Sequence, residues 1–261
     1  MMHHSVLYVS HGGGPLPLLN DPAHREMSTT LQQIKTLLPL PDAIVVISAH
    51  WESDSVAITA AAQPTLLYDY HGFDEAAYQL RYPCPGHPEL ANIIAQALQQ
   101  AGIKPRLEKQ RGLDHGVFVP LIMLYPEARV PVVQVSLHTQ LAADFHIRLG
   151  QAMRDLPDKL LFIGSGFSFH NMRAFFHSTL ADDKNIEFER WLQHMMTSKD
   201  MSEAQRRQHL LDWQQAPHAR YCHPREEHLL PLHVCYGLTE RPCQHAFQAN
   251  ILHKQASYFL W

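Results

Sequence analysis

The sequence lacks a long hydrophobic run, an excess of basic residues and any closely spaced pair of cysteines. Its longest apolar stretch, residues 117–125, is interrupted by Pro120, whereas a membrane-spanning helix needs roughly 20 apolar residues. With 21 Lys and Arg against 25 Asp and Glu, the formal net charge is −4. This balance gives no electrostatic reason to expect nucleic acid or an anionic membrane as a partner.

The four cysteines are widely separated and follow neither a CxxC spacing nor a zinc-finger pattern. They predict reduced thiols rather than a disulfide framework. The amino terminus, MMHHSVLYVSHGG, has no basic flank and no small-residue cleavage site, so it does not predict a secretory signal peptide. Both observations favour a cytoplasmic protein.

Apolar strands and amphipathic helices alternate along the chain, with no repeat and no break in composition. Residues 5–10, 43–47, 130–137 and 159–165 are apolar runs typical of strands that are buried on both faces. Helical spacing of apolar residues predicts helices between them. The alternation predicts an α/β fold with a central, mostly parallel sheet flanked by helices, in a single domain over 1–261.

The carboxyl-terminal part of the chain predicts three further elements. An amphipathic pattern over residues 185–207 indicates one long helix, and a second helix is predicted over residues 223–237. The tail, residues 246–260, is predicted to close the domain as one more strand.

Histidine is unusually abundant, with 20 residues. Three buried strands end in small residues followed by a histidine: VSH at His11, ISAH at His50 and GSGFSFH at His170. His115 in LDHG and His228 in PREEH stand beside polar residues in loop or helix-start contexts. Because the carboxyl ends of parallel strands meet at one edge of a sheet, we expect these side chains to share a pocket.

Such a cluster is typical of a mononuclear metal site. Neutral imidazoles with a carboxylate or a further imidazole suit Zn²⁺ or Fe²⁺, and histidines beyond the ligands are available as acid and base. Glu52 and Glu227 are the candidate carboxylates. The residues themselves therefore predict a metal enzyme and leave an iron oxygenase and a zinc hydrolase equally open.

Six motifs occur in order along more than 200 residues: SHGGGP, ISAHWE, YDYHGFDEAAYQLRYPCPG, RGLDHGVFVPL, IGSGFSFHNMR and HPREEHLLPL. Together they resemble the class III extradiol ring-cleavage dioxygenases, and most closely the 4,5-DOPA extradiol dioxygenase-like branch. Each motif is weak alone, and their common order makes the signal specific. The resemblance implies a single α/β domain with a non-haem metal in an accessible pocket.

By this resemblance, His11 and His50 match the family's two amino-terminal metal ligands, and His228 matches the third. His170 matches the general base, and in metal-loaded members of the branch it is close enough to bind the metal as well. His115 resembles the histidine that faces the bound substrate.

The resemblance implies that Fe²⁺ is required for activity and that Zn²⁺ can occupy the same site in purified protein. The implied substrates are O₂ and a small, DOPA-like catechol, whose ring opens to a semialdehyde carboxylate. More distant relatives carry a glutamate at the third ligand position, so Glu227 beside His228 keeps a carboxylate ligand open. A zinc-dependent hydrolase or lyase and a non-catalytic metal- or ligand-binding relative on the same fold remain the alternatives.

Overall fold

Eight strands form one sheet in the computed structural model, which describes residues 4–156, 159–177 and 182–261. In chain order they are β1 (Ser5–Ser10), β2 (Ala43–Ser53), β3 (Val56–Thr59), β4 (Pro105–Glu108), β5 (Val132–His138), β6 (Leu160–Gly166), β7 (His245–Ile251) and β8 (Lys254–Leu260). Their order across the sheet is β4-β3-β5-β2-β6-β1-β8-β7.

The four central strands, β5, β2, β6 and β1, pair in parallel. Residues 44–47 of β2 are completely buried, because an apolar run with no polar alternation fits only a strand that is covered on both faces. Antiparallel pairs stand outside this centre, where β8 joins β1 and β7 and where β3 joins β5. The predicted α/β fold with a mostly parallel sheet is confirmed, and the central strands end at one edge.

The described α-helices are α1 (Arg25–Lys35), α2 (Pro88–Gln100), α3 (His115–Leu124), α4 (Ala143–Ala152), α5 (Met172–His177), α6 (Asp183–Thr197), α7 (Glu203–Leu211), α8 (Ala219–Cys222) and α9 (Leu230–Thr239). All residues of α9 are buried, because the helix packs on β1 and β6 as well as on α4. Within the described ranges, no helix is long and apolar enough to cross a membrane. The four cysteines are buried free thiols.

Two helix predictions were wrong in their extent. The pattern over residues 185–207 forms two helices, because α6 ends at Thr197 and Ser202 starts α7 with a capping box to Gln205. The helix predicted from residue 223 begins only at Leu230, so the segment before it is free to form a turn.

Two strand predictions were also wrong in their extent. The strand predicted to stop near residue 47 continues as β2 to Ser53, with an irregular register between Ser48 and Glu52. The tail is a hairpin of β7 and β8, and its turn residues Leu252 and His253 both have a positive φ.

Glu189 is a buried carboxyl group between α6 and β8. Its side chain is completely buried and accepts a hydrogen bond from Ser257 Oγ. Burial raises the pKa of Glu189 to about 7, because removal from water penalises the carboxylate more than the neutral acid. Hydrogen bonds from Ser168 and Ser257 offset only part of this effect.

We expect Glu189→Gln to change how stability depends on pH. Between the ordinary pKa of 4.5 and the native value of about 7, the folded protein holds a proton that the unfolded chain has lost. The wild-type free energy of unfolding therefore carries a penalty that grows with pH, by roughly 2–3 kcal/mol over this interval. The glutamine keeps an oxygen acceptor for Ser257 and cannot ionise, so the variant escapes this penalty.

Urea denaturation at several pH values between 4.5 and 8 measures the difference in unfolding free energy between variant and wild type. We expect this difference to shift in favour of Glu189→Gln as the pH rises. A difference that stays constant over this pH range would contradict the raised pKa of Glu189.

Candidate active site and metal centre

Three imidazole rings converge at the carboxyl edge of the central strands. His11 directly follows β1, and His50 lies near the end of β2. His228 lies in the turn before α9. His50 Nε2 is 3.0 Å from His11 Nε2 and 3.3 Å from His228 Nε2. Three histidines from distant parts of the sequence thus meet, each through its Nε2 atom.

The turn that carries His228 is fixed to the end of β6. The carbonyl oxygen of His228 accepts hydrogen bonds from Phe167 N at 3.0 Å and from Tyr8 Oη at 3.1 Å. Gly166 makes this approach possible, because a Cβ atom there would lie 2.0 Å from the same oxygen. Position 166 therefore has no room for a side chain.

Ser165 determines which nitrogen of His11 carries the proton. Its hydroxyl donates to the carbonyl oxygen of Gly116 and lies 3.0 Å from His11 Nδ1. Because the single hydroxyl proton is directed at a carbonyl, Ser165 Oγ accepts from His11 Nδ1–H. A neutral His11 then presents the lone pair of Nε2 to the other rings.

Glu227 fixes the orientation of two further rings. Its Oε1 atom lies 2.9 Å from His228 Nδ1 and 3.3 Å from His170 Nδ1. A carboxylate only accepts, so both Nδ1 atoms carry protons and both Nε2 atoms are free. The two rings are stacked, with centroids 3.4 Å apart. His228 therefore contacts Glu227 through Nδ1 and His50 through Nε2, on opposite sides of its ring.

Asp69 fixes the orientation of the His115 ring in the same way. Its Oδ1 atom accepts from the backbone N–H of His115 at 3.0 Å and lies 2.8 Å from His115 Nδ1. Its other oxygen is 3.7 Å from His50 Nδ1. Burial opposes ionisation, yet the hydrogen bond from His115 holds the pKa of Asp69 below its ordinary value. Sequence reasoning missed Asp69, although it is an acidic residue between two tyrosines in the aromatic loop.

The amino terminus of α3 is pressed against the sheet, which brings His115 into the site. Ser48 Oγ donates to Asp114 Oδ1 at 2.7 Å, and Asp114 is completely buried. A Cβ atom at Gly116 would lie 2.5 Å from Ser48 Oγ, so only glycine permits this contact. The ring of His115 consequently lies 3.9 Å from that of His50, centroid to centroid.

The three converging imidazoles are held in their neutral form. Burial lowers the pKa of His11, His50 and His228 well below the usual value, because a low-dielectric interior disfavours the imidazolium. The neighbouring imidazoles lower these pKa values further. Neutral imidazole is the form that binds metal ions.

The donor set fits a single metal ion. Two nitrogens that bind the same ion at about 2.0–2.1 Å stand about 3 Å apart, and the Nε2 spacings of 3.0 and 3.3 Å match this value. Lone pairs that face one another at this distance repel unless a proton or a metal cation lies between them. Imidazole donors are typical of Zn²⁺ and Fe²⁺, and their geometry does not choose between these ions.

A cavity of about 760 Å³ opens beside the histidines. Its walls include His170 and His115 together with the side chains of Glu52 and Arg225. Apolar residues supply much of the rest, namely Leu16, Phe73, Phe167, Met172, Phe175 and Leu252. All five histidines singled out in the sequence line this one cavity, which is wide enough for an aromatic small molecule.

Comparison with known proteins assigns this architecture to a family. The family model described as the catalytic LigB subunit of aromatic ring-opening dioxygenase matches residues 1–260. The crystal structure of uncharacterized protein JW3007 from Escherichia coli K12 superposes with a TM-score of 0.78 at 27% sequence identity, covering 100% of this chain and 99% of that one.

Named relatives are similar over most of their length. Dioxygenase tasH of Hapsidospora irregularis is 38% identical, covering 89% of this chain and 77% of the relative. The 4,5-DOPA dioxygenase extradiol of Beta vulgaris is 35% identical, covering 89% and 85%. The fold, the histidine cluster and these matches agree, and the chain belongs to the LigB family of aromatic ring-opening, class III extradiol dioxygenases.

Proposed function

We propose that this chain is a non-haem, Fe²⁺-dependent extradiol dioxygenase that acts on a small, DOPA-like catechol. Both atoms of O₂ enter the product, and the ring opens to a semialdehyde carboxylate. The observation that carries the proposal is the set of five histidines that line one cavity, three of which, His11, His228 and His115, have an acceptor at Nδ1. Relatives named 4,5-DOPA dioxygenase extradiol support the substrate class, and we infer a cytoplasmic location from the composition.

In the proposed enzyme, His11, His50 and His228 hold the metal, and His170 is the candidate for a fourth ligand. Bound Fe²⁺ supplies the electron exchange between catechol and dioxygen, which Zn²⁺ cannot support. The protein contributes neutral donors in fixed orientations and an aromatic cavity that holds the ring against the metal site. A zinc-loaded sample is therefore expected to bind catechols without cleaving them.

His170 and His115 are the proposed catalytic residues. Glu227 keeps the proton of His170 on Nδ1, so that Nε2 is free to take a proton from a catechol hydroxyl. His115 also lines the cavity, and Asp69 accepts from His115 Nδ1–H at 2.8 Å. This carboxylate stabilises the imidazolium that His115 becomes when it carries a proton to the opening ring.

Reconstitution with iron tests the proposed function directly. We expect protein that is stripped of metal and reloaded anaerobically with Fe²⁺ to consume O₂ with a catechol and form a yellow semialdehyde. Zn²⁺-loaded protein, the matched control, should consume none, because zinc does not exchange electrons. Absence of both O₂ uptake and yellow product across a panel of catechols would refute a dioxygenase and leave the zinc hydrolase or the non-catalytic binding protein.

Two alanine variants are expected to separate metal binding from proton transfer. His50→Ala should lose the metal, because it removes the nitrogen that lies between those of His11 and His228. His115→Ala should keep the metal and lose turnover. Atomic emission measures the metal content of each variant, and O₂ uptake measures its turnover. A His50→Ala protein that still holds a full complement of metal would remove His50 from the ligand set.

Ser165→Ala is expected to weaken metal binding by about 10- to 100-fold, because His11 loses the acceptor that fixes its proton on Nδ1. Competition for Zn²⁺ with a chromophoric chelator measures this affinity without any reaction. Ser10→Ala is the matched control, since Ser10 is equally buried next to His11 and donates to the backbone oxygen of Ser257. Equal affinities for Ser165→Ala and Ser10→Ala would show that Ser165 does not orient the ring.

A further inference from the structure

Glu52 and Arg225 form an ion pair on the wall of the histidine cavity. Arg225 Nη1 and Nη2 each donate to one carboxylate oxygen of Glu52, and both distances are 2.6 Å. The two side chains are 23% and 52% exposed and both line the cavity. A ligand in the cavity therefore has access to a positive and a negative group that stand side by side.

Both partners keep unused hydrogen-bonding capacity. A guanidinium has five N–H donors, and Glu52 occupies two of those of Arg225. Each carboxylate oxygen of Glu52 has a second lone pair. A ligand can therefore bind to either partner while the ion pair stays intact, and a ligand that carries both charges can bind to both.

The ion pair lies within reach of a catechol bound at the histidines. Arg225 Nη1 is 3.4 Å from Glu227 Oε2, and the other oxygen of Glu227 is 2.9 Å from His228 Nδ1. A single carboxylate thus separates Arg225 from a proposed metal ligand. Among the described residues that line the cavity, Glu52, Arg225 and Glu227 are the Asp, Glu, Lys or Arg side chains, and Glu227 is committed to the two histidines.

We propose that Glu52 and Arg225 select a catechol that carries a zwitterionic α-amino acid group, with its carboxylate on Arg225 and its ammonium on Glu52. This inference rests on the proposed function, because it assumes that the catechol hydroxyls lie at the histidines. A zwitterionic substituent places a negative group beside Arg225 and a positive group beside Glu52, and it adds no net charge to the cavity. A substituent that is only anionic is repelled by Glu52, and one that is only cationic is repelled by Arg225.

A purely structural role for Arg225, such as holding Glu227, makes a different prediction. Loss of that role would disturb the histidines and weaken the binding of every catechol by a similar factor. Recognition of the charged substituent would instead change the relative affinities of catechols that differ only in that substituent. The ratio of dissociation constants within such a series is therefore the informative quantity.

The experiment measures binding of four catechols to Zn²⁺-loaded protein by calorimetry, so that no turnover is required. The ligands are 3,4-dihydroxyphenylalanine, the anionic 3,4-dihydroxyphenylpropionate, the cationic dopamine and the neutral 4-methylcatechol. The variants are Arg225→Gln and Glu52→Gln. Arg220→Gln is the matched control, because Arg220 forms a similarly exposed pair with Glu226 at 2.6 Å and does not line the cavity.

In wild type we expect the amino acid to bind more tightly than 4-methylcatechol. Arg225→Gln should reduce this preference by about 10- to 100-fold, because it removes charged hydrogen bonds to the carboxylate. Relative to 4-methylcatechol, Glu52→Gln should bind dopamine more weakly and the propionate more tightly. The affinities of the cationic and the anionic ligand thus change in opposite directions. Arg220→Gln should leave all ratios at the wild-type values.

Equal effects on all four ligands, unchanged ratios, or no wild-type preference for the amino acid would each overturn the inference. The proposed function fails separately, through the absence of ring cleavage in the Fe²⁺-loaded protein. Charge-selective binding to the zinc form would uphold the recognition site even in that case.

Discussion

His50 Nε2 faces the Nε2 atoms of His11 and His228 at 3.0 and 3.3 Å, and the rest of the site is arranged around this constraint. Each Nε2 lone pair is exposed to its neighbours only if the proton of that ring stays on Nδ1. Ser165 accepts a hydrogen bond from the Nδ1–H group of His11, and Glu227 accepts one from the Nδ1–H group of His228. Acceptors outside the cluster therefore determine the tautomers of two of its three rings, His11 and His228.

The parallel centre of the sheet supplies the rigidity that this arrangement requires. β1, β2 and β6 are adjacent, so their carboxyl ends deliver His11, His50 and the segment leading to His170 to one edge. Close contacts lock the remaining parts, since Gly166 admits the turn of His228 and Gly116 admits the end of α3. Small residues at these positions are thus structural requirements for bringing five histidines into one cavity.

In the proposed enzyme, chemistry and selectivity are divided between different parts of the fold. The histidines and their acceptors are mostly buried and belong to strand ends or to segments fixed against them. Glu52 and Arg225 are more exposed, and their ion pair stands on the cavity wall beside apolar side chains. In the proposed enzyme, substitutions in the wall can change the preferred catechol while the metal site stays intact.

Local patterns in the sequence were sufficient to predict the α/β class, the buried strands and the histidines that the structure brings to one cavity. A buried apolar run followed by small residues and a histidine is a pattern of adjacent residues, and His11 and His50 could be identified in this way. Two of the hydrogen-bond pairs are different, because Ser165 is 154 residues from His11, and Arg225 is 173 residues from Glu52. Such pairs, and the turn before α9, were decided only by the tertiary structure, since buried polar groups bond to whatever partners the strand order brings beside them.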